Sequence, residues 1–216
     1  MLQTLFSFVT CPGCGVRPAE QHGVCGPCLP GAGEPVLHPG LLALGTYDRQ
    51  LKELVSALKS SGAARASEYL GNALAEQVRR RAWPVLAVTS VPSHPARVRE
   101  RGYDQAELLG RECAAALRVP WLRLLERRGG TAQQSLLPTH RRRENAGRSF
   151  RLHRRIPKVL PRRVLLVDDV LTTGASLESC RGLLLAAGTV SVWFAAAAAA
   201  RPRRRYGRAP ADVPRT

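Results

Sequence analysis

Two neighbouring carboxylates, Asp168 and Asp169, followed within a few residues by Thr172, Thr173, Gly174, Ala175 and Ser176, are the residues of this chain best suited to chemistry. Ionised carboxylates only accept hydrogen bonds, and an adjacent pair suits a vicinal diol such as the 2′ and 3′ hydroxyls of ribose. The loop that follows suits the other end of such a molecule. Gly174 and Ala175 let the backbone approach closely, and the Thr172, Thr173 and Ser176 hydroxyls can donate to phosphate oxygens. A helix opening there adds free N–H groups and the positive end of its dipole, so a phosphate settles without a lysine. The acids repel phosphate, which orients the ligand with its sugar over them and its phosphate in the loop. Any one of these parts alone reads more plainly as a strand, an acidic turn and a capped helix without a ligand. The whole run from Val164 to Ser176 reads as a sugar-phosphate site.

Such a site needs a strand before it and a helix after it. Val164 to Val167 are four apolar residues, enough for a strand buried on both faces as in a parallel sheet, with the acids placed where it runs out. Leu177, Cys180, Leu184 and Ala187 then recur at the spacing of a helix with one buried face. Upstream, Leu41 to Tyr47 reads as a strand and Asp48 as the cap of a helix whose stripe is Leu51, Leu54, Val55 and Leu58. Gly62 breaks that pattern, and a second helix runs from about 64 to 82 with Leu70, Ala73, Leu74 and Val78 inward. Val85 to Val91 is a buried-strand candidate, followed by a loop from Pro92 to Arg97. Ala106, Leu109, Cys113 and Leu117 mark a further helix, and Val190 to Ala196, with Trp193 and Phe194, a core strand. This alternation predicts an α/β fold with a parallel sheet, whose ligands lie beyond the carboxyl ends of the strands. The loops after Val91 and Val167 are therefore the ones that matter.

Length and charge set the frame. The 216 residues are expected to divide into a module over 1–40, one domain over 41–200 and a basic, flexible tail over 201–216. The formal net charge is +17, and 30 of the 33 basic residues are arginine. A GC-rich coding sequence accounts for part of that, yet so large a surplus favours polyanionic partners. Ten Lys or Arg face the single Glu144 between Arg141 and Arg163. Of these, Arg141, Arg142, Arg143, Arg148, Arg151, Arg154 and Arg155 are the candidate contacts to single-stranded DNA, since guanidinium groups fork onto phosphates and stack on unpaired bases. Trp121, Phe150 and Tyr103 are the aromatic candidates nearby, so the grip is expected to be mainly electrostatic. No apolar run reaches the 18 or so residues of a membrane span, and the apolar first ten residues lack a basic flank, so a soluble, cytoplasmic protein is expected.

Cys11-Pro-Gly-Cys14 and Cys25-Gly-Pro-Cys28 form two C-x2-C knuckles ten residues apart. Four thiolates at that spacing suit a tetrahedral structural zinc. A disulfide pair, which suits a secreted chain, and a thioredoxin-type redox motif, which comes once within a βαβ unit, are the rival readings. Residues 1–40 are too few and too rich in Gly and Pro to fold by core burial, so metal binding would supply the free energy. Cys113 and Cys180 read as core residues.

The cysteine knuckles, the Val-Pro loop, Arg99-Glu-Arg-Gly-Tyr-Asp-Gln105, the segment holding Gln134, Arg141-Arg-Arg-Glu-Asn145 and Ser149-Phe150, and the acid-pair strand stand in one order. In that order the chain resembles the ComF family of competence proteins from Cys11 to about Ala200, and the acid-pair run resembles the phosphoribosyl diphosphate (PRPP) signature of type I phosphoribosyltransferases. Tyr103 and Asp104 stand where the family usually has Phe and Asn, so Asp104 exchanges an amide donor for an acceptor. The resemblance implies a type I phosphoribosyltransferase-like domain behind a zinc-binding module, and a role in natural transformation. It implies that Asp168 and Asp169, the catalytic candidates, contact ribose, and that Thr172 to Ser176 hold the 5′-phosphate. It also implies that the loop with Pro92, Ser93 and Arg97 meets pyrophosphate together with Mg²⁺. The stretch from about Thr131 to Asn145 matches a mobile flap hinged at Gly129-Gly130. The partners it implies are the competence DNA translocase and the DNA-processing protein that loads recombinase. Two functions follow: a DNA-handling protein with a PRPP or 5′-phosphate site, or an active phosphoribosyltransferase that joins a base to ribose-5-phosphate and releases pyrophosphate.

Overall fold

The computed structural model describes residues 36–38, 40–47, 49–60, 63–128 and 149–200. Over these the chain forms β1 (Val36–His38), β2 (Leu41–Ala43), α1 (Arg49–Ala57), α2 (Ala63–Arg80), β3 (Ala87–Ser90), α3 (Pro95–Arg101), α4 (Gln105–Leu117), β4 (Leu125–Arg127), β5 (Phe150–Leu152), β6 (Arg163–Leu171), α5 (Ala175–Ala186) and β7 (Ser191–Ala199). The main sheet has the order β1-β2-β7-β6-β3. Its three pairings from β2 to β3 are parallel, and β1 is an antiparallel addition at one edge. β4 and β5 form a separate antiparallel pair with Leu125 opposite Leu152.

The period of two along β6 divides the core. Leu165 and Val167 join one cluster with α1, α2 and α4, through Leu54, Leu70, Leu74, Leu109 and Cys113. Val164 and Leu166 point to the other face and join Leu177, Cys180 and Leu184 of α5, together with Phe150 and Leu124. Because both faces are covered, the strand is a continuous apolar run rather than an alternating one. β7 is richer in alanine than a strand usually is, and alanine is a weak strand former. Its place between β2 and β6 overrides that preference, and Ala195 to Ala198 are fully buried.

Several elements differ from the sequence reading. β6 does not run out at the acids: it continues through them to Leu171, because β7 pairs with it as far as Ala199. The loop expected over Pro92–Arg97 ends at His94, and Arg97 lies in α3. His94 Nδ1 accepts from the Ala96 N–H at 3.2 Å and Pro95 occupies the first turn, where a missing N–H costs nothing. β2 is three residues long rather than seven, with only a bridge from Thr46 to Ala199 beyond it. In α2, Ala73 is half-buried and Ala66 and Ala75 take the inward places. Leu117 of α4 is likewise only half-buried. The four knuckle cysteines, Asp48, Gly62, the Gly129-Gly130 and Thr131–Asn145 stretch, Arg141, Arg142, Arg143, Arg148 and the tail lie outside the described residues.

Candidate functional site

The acid pair sits at the carboxyl end of β6, beside the end of β3. Each acid first engages the backbone that follows it: Asp168 Oδ1 accepts from the Asp169 N–H at 2.8 Å, and Asp169 Oδ1 from the Val170 N–H at 2.7 Å. Asp169 Oδ2 then accepts from Gln105 Nε2 at 3.2 Å and faces Lys59 Nζ at 3.9 Å. Lys59 follows α1 and Gln105 opens α4, so two helices of the same face hold one carboxylate. Among the described residues no ion pair reaches Asp168. Burial pushes its carboxyl well above the ordinary range and the Asp169 charge adds to that, while the Asp169 N–H acts in the opposite sense. The two adjacent carboxyl groups bring several oxygens together at one point, which suits a diol.

Three residues after Leu171 the chain turns at Gly174, whose φ of 76° is in the left-handed region that favours glycine. α5 begins at the next residue with no side-chain cap. Thr173 Oγ1 receives the Ala175 N–H at 3.4 Å, and Thr172 and Thr173 are exposed. The N–H groups of the first turn, Ser176 and Leu177 among them, have no intrahelical acceptor. Strand, acids, loop and helix N-terminus thus stand together as the sequence indicates.

The loop after β3 is tied to the same end of the sheet through Asp104. Its Oδ2 accepts from the Ser93 N–H and its Oδ1 from the Ser93 hydroxyl, each at 2.8 Å. Oδ1 also caps α4, accepting from Ala106 N–H at 3.0 Å and Glu107 N–H at 3.4 Å. Every bond Asp104 makes is one it accepts, so an amide donor is not what this position uses. The Tyr103 hydroxyl donates to the Leu58 and Ser60 carbonyls at 3.0 and 3.2 Å, a tie that phenylalanine lacks. Ser93 is therefore held as part of the frame, and Arg97 is exposed on α3.

Sequence reasoning missed Lys59, the role of Gln105, and Arg127. Lys59 lies over a hundred residues from the acid it faces, and no local pattern marks it. Arg127 ends β4 with its guanidinium 5.2 Å from the Phe150 ring centre, and burial together with Arg97 lowers its pKa. Phe150 is buried and so unavailable for stacking on a base. Of the arginines proposed for DNA, Arg151 pairs with Glu126, while Arg154 and Arg155 are exposed beside each other. Cys113 and Cys180 are buried and unpaired, as core residues should be.

Beyond β3 lies a cavity of about 550 Å³ bounded by the 92–93 loop, α3, the start of α4 and the 121–127 stretch. The acids and the 172–176 loop do not line it.

The parallel sheet, the acid pair at its carboxyl edge and the glycine turn into α5 define an α/β protein whose fold resembles the type I phosphoribosyltransferases. Within that class the chain belongs to the ComF (competence protein F) family. It is 33% identical over 191 residues to the DNA utilization protein YhgH of Escherichia coli O157:H7, covering 85% of this chain and 82% of that protein. It is 32% identical over 195 residues to competence protein F of Haemophilus influenzae, covering 87% and 84%. No protein-family model matches it. Among solved structures, adenine phosphoribosyltransferase of Leishmania tarentolae is similar over 77% of this chain and 94% of that one, at 15% identity and a TM-score of 0.44.

Proposed function

We propose that this competence-family chain binds a 5-phosphorylated ribose, PRPP foremost, at the acid pair, and handles single-stranded DNA during natural transformation. The observation that carries the ligand reading is the distance in sequence between two devices of opposite charge preference. Acceptor carboxylates follow the apolar run of β6, and five residues after Asp169 a left-handed glycine opens a helix with free amides. A diol and a phosphate on one sugar match that order. Asp168 and Asp169 would orient the ribose, and the 174–177 amides with Thr172, Thr173 and Ser176 would take the phosphate.

Magnesium would come with the diphosphate and neutralise part of its charge. The donors fit an ion that keeps most of its waters: hard carboxylate oxygens are present, but those of Asp169 already face Lys59 and Gln105. The zinc reading rests on the spacing of Cys11, Cys14, Cys25 and Cys28, and metal content should vanish in the Cys14→Ser, Cys28→Ser chain. The DNA reading rests on family membership, the charge of +17 and the exposed Arg154 and Arg155. The translocase and the DNA-processing protein remain the partners this role calls for.

Calorimetric titration of the full chain with PRPP and Mg²⁺ tests the ligand. Binding is expected, and its loss in the Asp168→Ala, Asp169→Ala variant. Unchanged binding in that variant would remove the acid pair from the site. Release of pyrophosphate with any of a panel of bases would identify turnover as well.

A further inference from the structure

One short turn braces the acid pair from the side. Between α3 and α4 the chain passes Gly102, at a left-handed φ of 82°, and enters the helix that Asp104 caps. Arg101, Tyr103 and Gln105 stand at alternate positions here, and all three lead to Asp169. Arg101 donates to Gln105 Oε1 at 2.8 Å. A guanidinium only donates, so it decides which way the Gln105 amide faces and turns Nε2 toward Asp169 Oδ2, 3.2 Å away.

Tyr103 reaches the same carboxylate by a longer route. Its hydroxyl donates to the Leu58 carbonyl at 3.0 Å and the Ser60 carbonyl at 3.2 Å, the residues on either side of Lys59. α1 ends at Ala57, and carbonyls at a helix end lack intrahelical partners. The phenol supplies one from a distant part of the chain and so fixes the turn that carries Lys59. From that turn Lys59 Nζ stands 3.9 Å from Asp169 Oδ2, with side chains 34% and 16% exposed. A lysine stem is long and flexible, so an ion pair at this distance depends on where the stem begins.

We propose that Tyr103 is a positioning residue of the acid pair: its hydroxyl holds the 58–60 turn so that Lys59 offsets the charge of Asp169 toward an incoming phosphate-bearing sugar. Two adjacent carboxylates repel an anionic ligand, and one fixed ammonium beside them removes part of that repulsion. Gln105 keeps the direction of the same carboxylate oxygen. The consequence for the ligand rests on the sugar-phosphate reading, whereas the tie from Tyr103 through Lys59 to Asp169 does not.

Tyr103→Phe removes one oxygen and keeps the ring, so its effects belong to the hydroxyl. In calorimetric titration with PRPP and Mg²⁺ it should weaken binding by about threefold to tenfold, the equivalent of one hydrogen bond. Lys59→Met should weaken binding at least as much. Adding Tyr103→Phe to Lys59→Met should weaken it no further, because the hydroxyl acts through the lysine. A tyrosine that only stabilises the fold would give effects that multiply. That result, or a Tyr103→Phe chain that binds as the parent does, overturns the proposal. A ligand-free measurement separates it from the sugar-phosphate reading. In urea denaturation, Tyr103→Phe and Asp169→Asn should be non-additive in the parent chain and additive in the Lys59→Met background. Coupling of this kind in a parent chain that does not bind PRPP would remove the ligand reading and leave the positioning of Asp169 in place. Coupling that is absent, or that survives Lys59→Met, overturns the positioning whether or not PRPP binds.

Discussion

Asp104 accepts four hydrogen bonds from two separate elements, the 92–93 loop and the first turn of α4. Asparagine at this position would keep one acceptor oxygen for the helix and present an N–H group to a Ser93 donor. Asp104→Asn should therefore cost about 1–2 kcal/mol in urea denaturation, the range for a broken cap or an unsatisfied buried donor. A change within a few tenths of a kcal/mol would mean the Ser93 contacts are not formed in solution. Asp168 allows a prediction of the opposite kind. Its carboxyl is raised above its ordinary value of 3.8, so between that pH and its folded pKa the native chain holds more protons than the unfolded one. Stability then falls as pH rises through this window. Chemical denaturation at several pH values should show Asp168→Asn losing less stability than the parent on going from pH 4 to 8. A parent chain that instead gains on the variant across this range would contradict the burial of the carboxyl.

At the scale of elements, the closest packing is between α2 and α4. A Cβ at Gly71 would stand 2.5 Å from the Glu112 Cβ and 2.9 Å from the Cys113 backbone N. Alanine raises helix propensity by about 1 kcal/mol, but here it would have to separate two buried helices. Gly71→Ala should accordingly lower thermal stability, by an amount typical of overpacking, about 1–3 kcal/mol after the propensity gain. A stabilised variant would show that the helices have room. The helices were readable from apolar spacing because their stripes face one continuous core. α3 was not, for Pro95 reads as loop punctuation unless the residue before it is known to cap. The reach of β6 beyond its apolar run was equally illegible. Acids carry no strand signal, and only the pairing with β7 extends it.

For the whole molecule, charge dominates. A chain of +17 whose exposed arginines meet a polyanion releases counterions on binding, so affinity for single-stranded DNA should fall steeply and log-linearly between low and physiological salt. Arg154→Glu with Arg155→Glu should flatten that slope. A salt-independent affinity would rule out an electrostatic surface around β5 and β6. No described helix is long and apolar enough to cross a membrane.

The order of hydrophobic runs was enough to read a parallel α/β fold, its buried faces, and the acid pair with the small-residue turn into a helix, because all of these are local: neighbours in the chain are neighbours in space. Contacts between distant segments were out of reach. Lys59 and Gln105 meeting Asp169, the Asp104 clamp on Ser93, and the cavity that gathers Ser90, Trp121 and Arg127 each join residues far apart in the chain. Those meetings depend on how helices and strands pack, and packing is settled by the shape of the folded core rather than by any pattern along the chain.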